Sequence, residues 1–303
     1  MLLRGTYTAL VTPFLRGKLD LDGLSRNIDD QIEQEIDGIL VLGTTGETPT
    51  LSSEEKNAII RLAVKKAKGK IPVMVGTGDY STSHTLIETQ KAKDLGADVA
   101  LIVTPYYNKP TQMGIYQHFE KICTQVDIPV IVYNIPGRTG QNIETTTLKK
   151  IATLPNIIGV KEASGNMAQI IEVLHSLSEN KNFSVLSGDD MLALPLIAMG
   201  GHGVISVVSN LIPSSMVSMT QAALKNNFSL ASQIHYKLFP LFKAAFIETN
   251  PIPIKYAMNL CGLAAGSTRL PLCELSKIHK KHLSHLLHEM NLIRESARDY
   301  AEV

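Results

Sequence analysis

Short apolar runs punctuate the chain at intervals of roughly 20 to 35 residues, at positions 7–11, 38–42, 72–75, 99–103, 129–133, 157–161, 184–186 and 204–208. Within them Val, Ile and Leu follow one another with little alternation. That is how parallel strands read when both of their faces are buried, whereas a strand with one wet face would alternate. Parallel neighbours need crossovers, and the gaps supply them. Ser52 and Ser53 precede EEKNAIIRLAVKKA, Ser81 precedes TSHTLIETQKAKDLG, and Thr111 precedes QMGIYQHFEKICTQ. Each offers a hydroxyl to the unpaired N–H groups of a first helical turn. Gly96, after Leu95, fits a residue that ends a helix.

Strand followed by helix, repeated eight times, predicts a closed (β/α)8 (TIM) barrel. An open doubly wound sheet would need only a different strand order, which spacing does not reveal. From about Asn226 the strand signal stops, and helical patterns remain at 230–246, 251–262 and 274–301. The expected organisation is a barrel over residues 1–225 with a C-terminal helical region over 226–303.

Composition narrows the function. At 303 residues and 44 % hydrophobic the chain has ample material for a core. Its net charge of +1 comes from interspersed acids and bases, without the basic stripe that attracts nucleic acid or an anionic membrane. Cys123, Cys261 and Cys273 form no CxxC pair, so neither a disulfide framework nor a thiolate zinc site is expected, and a reducing cytoplasm fits. The start MLLRGTYTAL lacks a cleavable apolar stretch. Gly200, Gly201 and His202 interrupt the apolar region 194–208 before it could span a bilayer, so no targeting or membrane segment is expected.

Barrel enzymes place their chemistry where strands run into the following loops. Lys161 closes the run IIGVK at such a point. A desolvated ammonium either pairs with an acid or has its pKa lowered, and a neutral amine attacks carbonyls to form Schiff bases. The plainer reading makes Lys161 the first solvated residue after the strand, paired with Glu162. What ends the other strands favours the chemistry: Gly43-Thr44-Thr45-Gly46-Glu47, Thr104-Pro105-Tyr106-Tyr107-Asn108, Tyr133-Asn134 leading to Arg138, and Ser187-Gly188-Asp189-Asp190. The GTTG turn offers backbone N–H groups and two hydroxyls to a small carboxylate. Tyr133 and Lys161 end adjacent strands, which lie about 5 Å apart, so a phenol would stand beside the amine and could move protons with Thr45. Arg138 presents a fork suited to a substrate carboxylate.

Competing chemistries lack their residues. GTTGET and GTGDYS complete neither a P-loop nor a dinucleotide fingerprint, and no GxSxG elbow occurs. His279, His282, His285 and His288 recur at helical spacing, but steps of three walk around a helix, and no HExxH accompanies them. A solvated or interface-facing helix accounts for them.

Five segments together, GTTGE at 43–47, YYNKP at 106–110, YNIPGRTG at 133–140, GVKEA at 159–163 and SGD at 187–189, resemble the dihydrodipicolinate synthase family of pyruvate-dependent class I aldolases and lyases. The resemblance runs essentially end to end, helical tail included. Arg138 in YNIPGRTG distinguishes the synthases from N-acetylneuraminate lyase and the sugar-acid aldolases, which share the lysine and tyrosine and stand as the alternative reading. A keto-acid sensor that keeps the fold without turnover is the non-enzymatic alternative.

The resemblance implies a lyase that joins pyruvate to L-aspartate 4-semialdehyde in diaminopimelate and lysine biosynthesis. Lys161 would form the imine, and Tyr133, Thr45 and Tyr107 would relay protons, Tyr107 coming from a neighbouring subunit. Thr44 and Thr45 would hold the pyruvate carboxylate, Arg138 the semialdehyde carboxylate, and Ile205 would add a backbone contact. No metal or organic cofactor is implied, and the family's usual state is a homotetramer built as a dimer of dimers. Lysine-inhibited members commonly carry His, Asn and Glu at positions matching Lys56, Tyr80 and His84, with Tyr106 and Ser53 near that cleft. Lys56 and His84 suit a ligand ammonium poorly, so weak or absent feedback by L-lysine is expected.

Overall fold

The computed structural model describes residues 2–293. Eight parallel strands close into a barrel: β1 Gly5–Ala9, β2 Gly38–Val41, β3 Val73–Gly76, β4 Val99–Val103, β5 Val130–Asn134, β6 Ile157–Glu162, β7 Ser184–Ser187 and β8 Gly203–Ser206. Each pairs with its chain neighbours, and β8 returns to β1, with Tyr7 abreast of Ile205. The open sheet is thereby set aside.

Around the barrel run α1 Leu21–Glu33, α2 Ser53–Ala67, α3 Thr82–Asp94, α4 Gln112–Gln125, the single turn α5 Pro136–Thr139, α6 Thr145–Ile151, α7 Met167–Ser176, α8 Ala193–Ala198 and α9 Pro213–Leu224. The expected caps are in place. The Ser52 hydroxyl accepts from Glu55 N–H while the Glu55 side chain accepts from Ser52 N–H, a reciprocal box, and Ser81 and Thr111 cap α3 and α4. Gly96 follows α3 at φ +92°, a conformation costly for a residue with a Cβ. A two-stranded hairpin, Phe14–Leu15 with Lys18–Leu19, follows β1.

Both faces of the strands are covered, which explains the missing alternation. Tyr7, Leu40, Met74, Leu101, Ile131, Leu186 and Ile205 share one cluster. The alternate residues Ala100, Ile102, Val130, Val132 and Val160 meet α4, α6 and α7. Two strands depart from the sequence expectation by two residues at an end, the others by at most one. The first strand is 5–9 instead of 7–11, and the last is 203–206, with Val208–Asn210 forming a 3-10 turn. Val11, Val207 and Val208 are apolar because the C-terminal helices cover them.

Those helices are α10 Phe228–Ala244, α11 Ile252–Leu260 and α12 Lys277–Glu289. Leu238, Phe242, Met258 and Leu287 pack in one cluster with Val204 and Met216 of the barrel. Residues 294–301 of the last expected helix lie outside the described residues. Among the described residues no helix is long and apolar enough to cross a membrane.

Candidate active site at the barrel mouth

Lys161 and Tyr133 lie abreast on β6 and β5. Side chains abreast on neighbouring strands share a face, and Tyr133 belongs to the cluster inside the barrel. An irregularity makes this so: Val130 pairs with Ile157 but Ile131 pairs with Gly159, so Ile158 is skipped. Without that bulge Tyr133 would face Val160, and Lys161 would turn to the other face. The Lys161 Nζ sits 4.3 Å from the centre of the Tyr133 ring. Gly188 makes room beside it, since a Cβ there would meet Lys161 Cε at 3.0 Å and Ala163 Cβ at 2.7 Å.

Lys161 is 5 % exposed. Burial pulls its pKa down from 10.5 to about 7; the Asp190 carboxylate opposes that fall and the Arg138 guanidinium adds to it. Glu162 does not pair with Lys161. It follows on the opposite face of the strand, bonded to the Asn134 amide and the Ser164 N–H. The plainer reading of Lys161, a solvated strand end, does not hold. Tyr133 is pushed up to about 12 by burial, moderated by Arg138 and a hydrogen bond with the Thr44 side chain, so it remains a phenol at neutral pH.

The two threonines have different neighbours. Thr44 is the threonine whose side chain acts on the Tyr133 phenol, opposing the rise of its pKa. The Thr45 hydroxyl, buried, accepts from the Asn250 Nδ2 at 3.0 Å. Arg138, on α5, donates through one terminal nitrogen to the Asn250 carbonyl at 3.1 Å. A cavity of about 350 Å³ opens here, walled by Thr44, Tyr133, Arg138 and Asn250 and extending to Lys56, Asp79, His84, Glu88 and Tyr106. Ile205 is fully buried in the inner cluster with Tyr133. Tyr107 stands apart from these groups within the chain: it is 90 % exposed, at φ +68°.

Three contributors carried no sequence-stated role. Asp190 is buried, its Oδ2 accepting from the N–H groups of Val207 and Val208; burial raises its pKa to about 6, against the lowering effect of Ser206 and those N–H groups. Asn250 comes from the loop before α11, and only folding brings it 205 positions back to Thr45. Lys255 on α11 forms a buried ion pair with Glu47 at 2.7 Å and donates to the carbonyls of Thr12 and Ser267. Glu47 also accepts from Arg269 N–H, so the threonine turn is fastened to the C-terminal helices. The histidines of α12 serve elsewhere: His279 pairs with Glu248 and His285 with Glu289.

The amine, phenol, paired hydroxyls and guanidinium at one mouth are suited to capturing a keto acid as an imine and moving its protons. Known proteins resemble this chain over nearly its whole length. The model of the dihydrodipicolinate synthetase family matches residues 2–290. The 4-hydroxy-tetrahydrodipicolinate synthase of Protochlamydia amoebophila is 56 % identical over 292 residues, 96 % of this chain and 97 % of that one. The enzyme of the same name from Methanocaldococcus jannaschii is 47 % identical over 96 % of this chain and its own whole length. The crystal structure of dihydrodipicolinate synthase from Thermotoga maritima superposes with a TM-score of 0.95 at 43 % identity, covering 97 % of this chain and all of that one. With a family model spanning nearly the whole chain, and relatives this similar over their full length, this chain belongs to the dihydrodipicolinate synthetase family.

Proposed function

We propose that the chain is a 4-hydroxy-tetrahydrodipicolinate synthase, a lyase that condenses pyruvate with L-aspartate 4-semialdehyde by way of a Schiff base on Lys161. The observation that carries this reading is the buried Lys161 amine, its pKa brought to about 7, against the ring of Tyr133. Neutral Lys161 attacks the pyruvate ketone, and the carbinolamine loses water to give an imine. The protonated imine is the electron sink, so a methyl proton leaves and an enamine forms without metal or organic cofactor. The enamine carbon attacks the aldehyde carbon of the semialdehyde. The amine of that substrate then displaces Lys161 at the imine carbon, closing the ring and releasing the enzyme, with one water lost overall.

The proton transfers fall to Tyr133 with Thr44, whose side chain acts on the phenol. The GTTG turn holds the pyruvate carboxylate, through Thr45 and its N–H groups, with Ile205 opposite. Arg138 receives the semialdehyde carboxylate, oriented by its bond to the Asn250 carbonyl. Tyr107, exposed in the single chain, completes the relay in a neighbouring subunit of a tetramer that works in the cytoplasm.

Borohydride reduction with pyruvate tests the reading. A stable pyruvyl adduct is expected on the peptide bearing Lys161, and turnover of pyruvate is expected with L-aspartate 4-semialdehyde but not with N-acetylmannosamine. Absence of the adduct, or turnover with the sugar alone, overturns it.

A further inference from the structure

The strand positions next to the reacting pair are also abreast, since Asn134 faces Glu162 one step beyond Tyr133 and Lys161. Alternation puts them on the outer face of the barrel. Both are buried, at 0 % and 1 % exposure. The Asn134 Nδ2 donates to Glu162 Oε2 at 3.1 Å and to Asn142 Oδ1 at 2.9 Å, while Asn134 Oδ1 accepts from Ile143 N–H at 3.0 Å. Glu162 Oε1 accepts from Ser164 N–H at 2.6 Å. Gln169 on α7 closes the group by accepting from Asn142 at 2.8 Å.

A carboxylate in such a place is costly to bury, and the neighbouring outward positions Val132 and Val160 show that apolar side chains fit this layer. What the polar pair adds is direction. Beyond the skipped Ile158 the register rests on four pairs, from Ile131↔Gly159 to Asn134↔Glu162. Uniform apolar residues would not distinguish this register from a slipped one, but an amide donor facing a carboxylate acceptor does. The same group reaches Asn142 and Ile143, in the segment that follows α5 and its Arg138.

We infer that Asn134 and Glu162 are positioning residues for the Schiff-base reaction, a clasp on the outer face that fixes the register of β5 and β6 where Tyr133 and Lys161 meet on the inner face. This rests on the function proposed above, and the experiment separates the two. Asn134→Asp sets two carboxylates against each other. Glu162→Gln leaves one amide oxygen to serve two donors. The exchange Asn134→Asp with Glu162→Gln restores a matched pair: the new carboxylate accepts from the Gln amide and from Ile143 N–H, the Gln oxygen accepts from Ser164 N–H, and the Asn142 amide rotates to donate.

Borohydride trapping with saturating pyruvate counts competent sites, and kcat is then expressed per trapped site. Asn134→Asp is expected to lower that kcat on the order of 100-fold, the cost of about an ångström of misplacement. Glu162→Gln lowers it less, and the pyruvate KM stays within about 3-fold in both. The exchange returns kcat to within about 5-fold of the parent, a non-additivity expected only of residues in contact. Single variants with unchanged kcat per site, or an exchange as impaired as the product of the two singles, would overturn the clasp. Failure of the parent protein to trap pyruvate would instead count against the Schiff-base reading itself.

Discussion

Replacing Lys161 with Met should abolish imine formation and make the protein more stable, by an amount set by pH. The amine ionises at 10.5 in the unfolded chain and at about 7 in the buried site. Between those values the folded protein binds fewer protons, so unfolding takes one up, and stability contributed by this site is lost as pH falls from 10.5 toward 7. At 1.36 kcal/mol per pH unit, the site costs the parent about 4 kcal/mol at pH 7, about 3 at pH 8 and about 1 at pH 9.5. Met has a similar length and suits Leu186, abreast of it on the next strand, so the variant should gain those amounts. This range keeps above the value of about 6 at which Asp190 titrates.

Equilibrium urea unfolding of both proteins at one protomer concentration, followed by far-UV circular dichroism, measures the difference. Its slope carries the reasoning. The parent should approach the variant as pH rises from 7 to 9.5, while borohydride and pyruvate label only the parent. A difference independent of pH, or a variant less stable throughout, would show that the amine is not held neutral by burial.

Glu47→Gln should lower stability by about 3 to 5 kcal/mol, read as a fall in the urea midpoint, because it leaves the Lys255 ammonium buried without its counter-charge; adding Lys255→Met should recover much of the loss. L-Lysine should inhibit only weakly, with half-inhibition above about 1 mM, because Lys56 stands in the cavity wall and His84 engages Asp79 and Glu88 at 3.1 and 3.8 Å. Micromolar inhibition in a steady-state assay would refute it.

Much of this protein was legible as a string of residues. Uninterrupted Val, Ile and Leu runs located eight strands because burial on both faces leaves no alternation to hide them. Ser52, Ser81 and Thr111 marked helix starts because a hydroxyl is the local answer to unpaired N–H groups. The last strand was misjudged for the same reason: Val207 and Val208 lie under the C-terminal helices, and sequence does not distinguish apolar residues covered by a helix from those in a strand. Asn250 and Lys255 were silent because their partners, Thr45 and Glu47, lie more than two hundred positions away.

The sequence by itself determined that Thr44, Tyr133, Arg138 and Lys161 gather at the mouth, since each ends a strand or closely follows one and the barrel directs strand ends to one side. Only the tertiary structure decided which of them touch. Lys161 faces Tyr133 because β6 skips Ile158 against β5, and it is the Thr44 side chain that acts on the phenol while Thr45 is bonded to Asn250. Register is a property of hydrogen bonds between segments distant in the chain. In a run where every side chain is apolar, nothing local records which residue the partner strand will pass over.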